Sequence, residues 1–151
     1  MRIIIADTSC LILFKKIGEL EIIRNTFSEI HTTDKVISEY GEDIDWITVR
    51  NDYDINTYSK LKSRFGVGES SCIALAQGEE NPLLIIDDRK ARNVAEEIGI
   101  ECIGSLGLLI LAKREGKIEL VKPIINKIKS TNFRLTEELI NYVLEIVDEN
   151  N

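Results

Sequence analysis

The sequence predicts an α/β domain built on a mostly parallel sheet covered by helices on both faces. Two apolar runs and the alternation around them carry that prediction. Leu83-Leu84-Ile85-Ile86 runs without polar interruption into Asp87-Asp88, and Arg2-Ile3-Ile4-Ile5-Ala6 runs into Asp7. Unbroken apolar runs of this length, as opposed to alternating ones, mark strands buried on both faces. Helical patterns alternate with short strand-like runs along the rest of the chain, which is the pattern of a parallel sheet. The C-terminal ends of such strands share one edge, where open α/β folds bind ligands. Asp7 and the Asp87-Asp88 pair are far apart in sequence, yet they become predicted neighbours at that edge.

Taken in order, Arg2 to Ala6 is the first and central strand. Cys10 to Lys16 and Leu20 to Phe27 read as two short helices parted at Gly18, with Thr8 or Ser9 available as the first cap. Glu29 to Thr32 reads as a second strand, and Thr33-Asp34 as the start of a helix that turns Val36 and Ile37 inward and carries Glu39 just before Gly41. Ile44 to Val49, with the lone Trp46, reads as a third strand, and the polar stretch from Asn51 to Ser63 as mostly helix. Gly66 to Ser71 marks a break and a new helix whose Ile73-Ala74-Leu75-Ala76 is buried and which Gly78 ends. After the Asp-Asp strand, Arg89 to Glu97 is a helix closed by Gly99, and Ile100 to Ile103 is the last strand. Gly104-Ser105-Leu106-Gly107 then leads into an apolar helix from Leu108 to Glu115. Two amphipathic helices follow, about Lys122 to Ser130 and Thr136 to Asp148, the second with Leu139, Ile140, Val143, Leu144 and Val147 as its apolar stripe. Asn150-Asn151 is expected to fray. With no repeat, low-complexity segment or linker, residues 1–151 are expected to form one domain, completed or extended by the helices from about residue 122.

The composition is that of an ordinary globular chain, 44% hydrophobic and 30% charged, with a net charge of -7. That balance argues against a general polyanion binder, which usually carries a basic face. It does not argue against a nucleic-acid enzyme whose acids surround a cation. Cys10, Cys72 and Cys102 are odd in number and widely spaced, which excludes a disulfide framework or a zinc knuckle and suits a reducing compartment. The early Asp7 interrupts any signal-peptide pattern, and no apolar run approaches the roughly 20 residues of a bilayer span. A cytoplasmic protein without membrane contact is expected.

Each acid has an ordinary reading. Asp7 can cap a helix, Glu69 can favour a helix dipole, and Glu39 late in a short helix can simply be solvated. Asp87 and Asp88 are harder to dismiss, because a cap needs one residue and adjacent like charges repel. Several carboxylates converging on one strand edge raise one another's pKa and need a neutralising cation. The chain offers no pair of His or Cys ligands, so hard oxygen donors point to Mg²⁺ or Mn²⁺, ions that bridge phosphates and activate water. The lone His31, in a strand-like stretch, is expected to be structural.

Ile5-Ala6-Asp7-Thr8-Ser9, Val36-Ile37-Ser38-Glu39, Gly68-Glu69-Ser70 through Ala76 and Ile86-Asp87-Asp88-Arg89 stand in the order found in PIN domains. The run Asp87 to Arg92, followed by Ile103-Gly104-Ser105-Leu106-Gly107, resembles a prokaryotic PIN-like group related to VapC toxins. The resemblance covers nearly the whole chain. It implies a three-layer α/β/α sandwich and a Mg²⁺- or Mn²⁺-dependent ribonuclease. Asp7, Glu39, Glu69 and Asp88 match the four catalytic acids, with Glu69 standing where many relatives have Asp. Asp87 occupies a place that is often nonacidic and is retained as an acid supporting the metal ligands or as an alternative metal ligand. Thr8 or Ser9 matches the small hydroxyl that helps hold a ligand, water or phosphate, and Arg89, with Lys90 and Arg92, lies where it could anchor the RNA backbone.

Single-stranded or looped RNA is the expected substrate, because exposed bases on a flexible backbone can bend into a cleft. A toxin-type nuclease would also have a small antitoxin protein as partner, and the C-terminal helices would serve a homodimer or complete the core. Two other classes are open. One is a PIN-like RNA- or protein-binding module without turnover. The other is a receiver-like phosphoacceptor, disfavoured because a single Asp7 follows the first strand and no Lys ends Ile100 to Ile103.

Overall fold

Ile3–Ala6 forms β1, the middle strand of a five-stranded parallel sheet in the order β3-β2-β1-β4-β5. The computed structural model describes residues 2–150. The other strands are β2 (Ile30–Thr33), β3 (Ile47–Arg50), β4 (Pro82–Ile85) and β5 (Glu101–Ile103). Among the described residues nine helices flank the sheet, making three α/β/α layers: α1 (Thr8–Lys16), α2 (Leu20–Thr26), α3 (Asp34–Tyr40), α4 (Ile55–Lys62), α5 (Val67–Gln77), α6 (Arg89–Glu97), α7 (Ser105–Arg114), α8 (Lys122–Lys129) and α9 (Glu137–Ile146).

The chain lays β2 and then β3 on one side of β1, and returns to lay β4 and then β5 on the other. The order therefore reverses between β1 and β4, and the crevice beyond their C-terminal ends is where such sheets place ligands. Register fixes what lies there. Ala6 pairs with Ile85, and the Asp7 N–H donates to Ile85 O at 3.1 Å, so Asp7 and Asp87 leave the sheet on neighbouring strands. Ile5, Ala6, Leu84, Ile85 and Ile86 are fully buried, which accounts for the unbroken apolar runs.

Helix α5 packs on β1, β2 and β4 and also meets α3 and α4, while α7 packs against β5, α2 and α9. Small residues make the α5 approach possible: Gly68, Ser70, Ser71, Ala74 and Ala76 are all buried. Ser71 shares a 2.7 Å hydrogen bond with Thr33, and Thr32 donates to Ala6 O at 2.7 Å, whereas the buried Ser70 hydroxyl has no partner among the described residues. Cys10 and Cys72 are buried and Cys102 half-buried, all as free thiols. His31 is buried in β2 with Nε2 3.2 Å from Glu29 Oε1.

Several elements differ from the sequence reading. The run from Ile44 to Val49 is not all strand. Ile47 N–H closes a turn onto Ile44 O, β3 begins only at Ile47, and Trp46 sits in the turn with the Arg24 guanidinium 5.9 Å from its ring. The helix within 51–63 is confined to Ile55–Lys62, because Asp54 accepts from Thr57 N–H and fixes the start. Neither Thr8 nor Ser9 caps α1. Asp7 holds the N-cap position and makes no capping bond, which puts both hydroxyls inside the first turn. Helix α7 starts at Ser105 rather than Leu108, because the Asp87 carboxylate accepts its first N–H.

Ile124, Ile125 and Ile128 of α8, Ile140, Val143 and Leu144 of α9, and Val147 just after it belong to the core cluster. Leu139, expected on that stripe, is 41% exposed, being one position round the helix from Ile140. Of the expected fraying end, Asn150 has no regular structure and Asn151 lies outside the described residues. Among the described residues no helix is long and apolar enough to cross a membrane.

Candidate active site

The cleft beyond β1 holds Asp7 at its floor, with Thr8, Ser9 and Ile12 from α1, Glu39 from α3 and Gly66, Gly68 and Glu69 from the start of α5 around it, enclosing about 470 Å³. Asp7 leaves β1 in extended conformation (φ -83, ψ 163), which turns its side chain into this space. It is 1% exposed, and its Oδ1 has no hydrogen-bond partner. Burial, followed by the charges of Glu69, Glu39 and Asp87, pushes its carboxyl up from 3.8 to about 7, against the lowering effect of the Thr8 N–H. A buried acid with an unsatisfied oxygen costs stability in the bare protein and needs a reason.

Glu39 reaches the cleft from the last turn of α3, where Thr33 caps the start and Gly41, at φ 93, ends the helix. Its Oε1 accepts the Thr8 hydroxyl at 2.8 Å. Gly68 makes room for this pair: a Cβ there would lie 2.1 Å from Glu39 Oε1 and 2.7 Å from Thr8 Oγ1. Glu69 sits in the first turn of α5 and turns back, accepting the Gly66 N–H at 3.3 Å. Burial, then the Asp88 charge, raises its pKa, with Glu39 adding to the shift.

The two acids after β4 are held differently. Asp87 is half-buried and uses both oxygens on Ser105, accepting its N–H on Oδ1 and its hydroxyl on Oδ2, each at 2.7 Å. Asp88 is exposed and caps α6, accepting Ala91 N–H on Oδ2 at 2.9 Å. No donor among the described residues engages its Oδ1. Arg92 Nη2 donates to Asp87 O at 3.3 Å, while its buried Nε has no partner. Arg89 is exposed at the head of α6 and lines a separate cavity with Asp87 and Arg92.

The fold thus brings Asp7, Thr8, Ser9, Glu39 and Glu69 around one cleft, with Asp87 and Asp88 close enough for their charges to act on Asp7 and Glu69. Among the described residues, no three Asp, Glu, His or Cys side chains converge tightly enough to form a ready cage for an ion. Glu39, Glu69, Asp87 and Asp88 are each engaged by a hydroxyl or backbone N–H, and among the described residues Asp7 Oδ1 is the one buried oxygen of these acids without a partner. Sequence reasoning missed Gly68 and Ser105. Gly66 and Gly68, closely spaced at a helix start, were the signal for the first. A Ser directly after Gly104 at the head of an apolar helix was the signal for the second.

A family model described as PIN domain matches residues 3–149. No curated protein and no solved structure gives a significant match. PIN domains are in general nucleases and in general use divalent metals. With the family model spanning all but the ends of the chain and the parallel sheet carrying acids at its switch point, this chain belongs to the PIN-domain family.

Proposed function

We propose that the chain is a divalent-metal-dependent endoribonuclease that hydrolyses RNA phosphodiester bonds, and that it is the toxin of a toxin–antitoxin pair. The observation that carries the metal reading is Asp7, whose buried Oδ1 has no protein partner. A buried carboxylate beside three other acids fits a hard cation. The donor set is all oxygen, and the burial that raises its pKa is the cost a cation offsets. Asp7, Glu39, Glu69 and Asp88 would hold Mg²⁺ or Mn²⁺, Asp88 through its free Oδ1, with Asp87 as a supporting acid. When bound, the ion supplies charge neutralisation of the phosphate and a lower pKa for the attacking water.

The residues of the chain do the rest. Asp7 sets the position at the floor of the cleft, because β1 fixes its backbone. Thr8 holds Glu39 by its hydroxyl. Ser9, exposed at the rim, offers a donor to phosphate, and Arg89 places positive charge beside the α6 end of the site. Single-stranded or looped RNA is the substrate whose exposed backbone can bend into the cleft. The antitoxin would be a small protein that covers the cleft, and pairing of two copies of the chain is a second association open to test.

Labelled RNA incubated with Mn²⁺, with EDTA, and with Asp7→Asn tests the reading. Cleavage by the wild type in Mn²⁺ alone is expected, with an unchanged circular-dichroism spectrum in the variant. Full activity in EDTA or in Asp7→Asn would overturn the mechanism. Calorimetric Mn²⁺ binding with no cleavage of any RNA would make the chain a binding module that kept the fold.

A further inference from the structure

The acidic cleft is not closed on its α1 side. Ser9 and Ile12, which line it, also line a second groove of about 410 Å³ that contains Lys16, Phe133 and Arg134. Phe133 and Arg134 in turn line a third space, of about 490 Å³, with Arg89, Arg92 and Tyr142 on its walls. Each space shares lining residues with the next, so the three adjoin in a row from Asp7 across α1 to α9, a path called the channel below.

The part beyond Ile12, whose one acid is Asp87, differs from the rest of this acidic chain. Lys16, Arg89, Arg92 and Arg134 all border it, and among the described residues none of them is in an ion pair. The Arg92 Nε is buried without a partner. Phe133 is half-buried against the core, and Tyr142 is 62% exposed. The α8–α9 loop that carries Asn132-Phe133-Arg134 is held by one local bond and one bond to α1. Phe133 N–H donates to Thr131 Oγ1 at 3.1 Å, and Lys16 Nζ donates to Asn132 Oδ1 at 3.4 Å.

We propose that this channel binds the single-stranded RNA flanking the scissile phosphate, with Arg134 on a phosphate and Phe133 and Tyr142 as stacking platforms for bases. The proposal rests on the ribonuclease reading of the acidic cleft. Charge complementarity selects the occupant: unpaired cations interleaved with aromatic faces suit a polyanion with exposed bases, which is the lining that single-strand binders use. The net charge of -7 explains why this feature is not visible in the composition.

The test measures binding without cleavage. Fluorescence anisotropy in EDTA compares a labelled tetraribonucleotide with a dodecaribonucleotide on the wild type, Phe133→Ala, Arg134→Glu and the off-channel control Lys117→Glu. The longer probe is expected to bind the wild type more tightly. Its affinity should fall about tenfold in Phe133→Ala, from lost stacking. It should fall comparably in Arg134→Glu, with a salt slope shallower by about 0.7. Lys117→Glu should change little. Arg134 is exposed, so its variant serves even if Phe133→Ala melts early. Wild-type affinity in a folded Arg134→Glu, or an equal loss in Lys117→Glu, would overturn the channel and leave the groove to a protein segment. If the probes bind as expected but Mn²⁺ produces no cleavage, the nuclease reading fails and the channel stands.

Discussion

Thr8 Oγ1 donates to Glu39 Oε1 at 2.8 Å, and the pair lies where the side chain of residue 68 would be. A glycine on α5 therefore decides the position of an acid on α3. Gly68 has no unusual backbone angle, so Ala fits the helix itself. What the added Cβ displaces is the end of a flexible glutamate and, at 2.7 Å, the hydroxyl of buried Thr8, so the hydrogen bond between them is broken.

Gly68→Ala is accordingly expected to cost about 1–3 kcal/mol through overpacking, partly offset by helix propensity. Cleavage should fall on the order of 100-fold, the usual consequence of displacing a positioned group by an ångström. Thermal melting and a labelled-RNA assay on the same sample check both halves. Unimpaired cleavage would show that Glu39 is not needed where it stands.

Asp7 links stability to pH. Its carboxyl titrates near 3.8 when unfolded and at about 7 when folded, because burial penalises the charge. Between those values the folded state keeps a proton that the unfolded chain has lost. The contribution is therefore fully present below about pH 4, declines as pH rises through about 7, and is gone above it, a loss on the order of 4 kcal/mol. In EDTA, Asp7→Asn should melt roughly 8–16 °C above the wild type near pH 8, with little difference near pH 4. Mn²⁺ should raise the melting temperature of the wild type and not of the variant. A variant that melts below the wild type near pH 8 would contradict the desolvation account.

Much of this arrangement was legible because it is local. The runs ending at Ala6 and Ile86 marked buried strands, and Gly41, Gly78 and Gly99 stand where α3, α5 and α6 end. Asp7, Glu39, Glu69 and the Asp pair could be named from their order along the chain. What could not be read is pairwise and distant: Thr8 with Glu39, Asp87 with Ser105, and the Phe133 loop beside α1. No period in the sequence encodes such contacts. The error over Ile44 to Trp46 has the same origin, because a turn that buries Ile44 and exposes Asp45 shows the same alternation of apolar and polar residues as the edge strand after it.

Asp87 and Asp88 should separate on mutation. Removing the Asp88 side chain costs α6 its cap, about 1 kcal/mol, whereas Asn retains an acceptor for Ala91. Removing Asp87 leaves the first N–H of α7 and the Ser105 hydroxyl unpaired beside the core, about 1–3 kcal/mol. Asp87→Ala should therefore be the less stable of the two alanine variants in urea denaturation. Asp88→Asn should be near wild type in stability but deficient in Mn²⁺-dependent cleavage. Full cleavage by Asp88→Asn, with loss in Asp87→Asn, would transfer the metal-holding role to Asp87.

Glu149 ties the C-terminal helices together. Its side chain is only 6% exposed, and its Oε2 accepts Lys113 Nζ at 2.8 Å and the Val121 N–H at 2.7 Å. Oε1 accepts the Lys122 N–H at 2.9 Å, so the carboxylate closes the start of α8 onto α7. Burial alone would raise its pKa, but the Lys113 ammonium and the two backbone donors hold it below 4.5. A depressed carboxyl stabilises the fold above its unfolded pKa, and that contribution is lost as pH falls through the folded value. Glu149→Gln keeps the shape but turns an amide N–H₂ toward a donor, and should cost about 3 kcal/mol at neutral pH. The gap to the wild type should narrow below about pH 4, as measured by denaturant titration at several pH values. Because the bond network holds α8 and not the acidic cleft, the turnover of a short RNA should survive in the folded variant. The dodecaribonucleotide, which needs the α8–α9 loop in place, should bind more weakly.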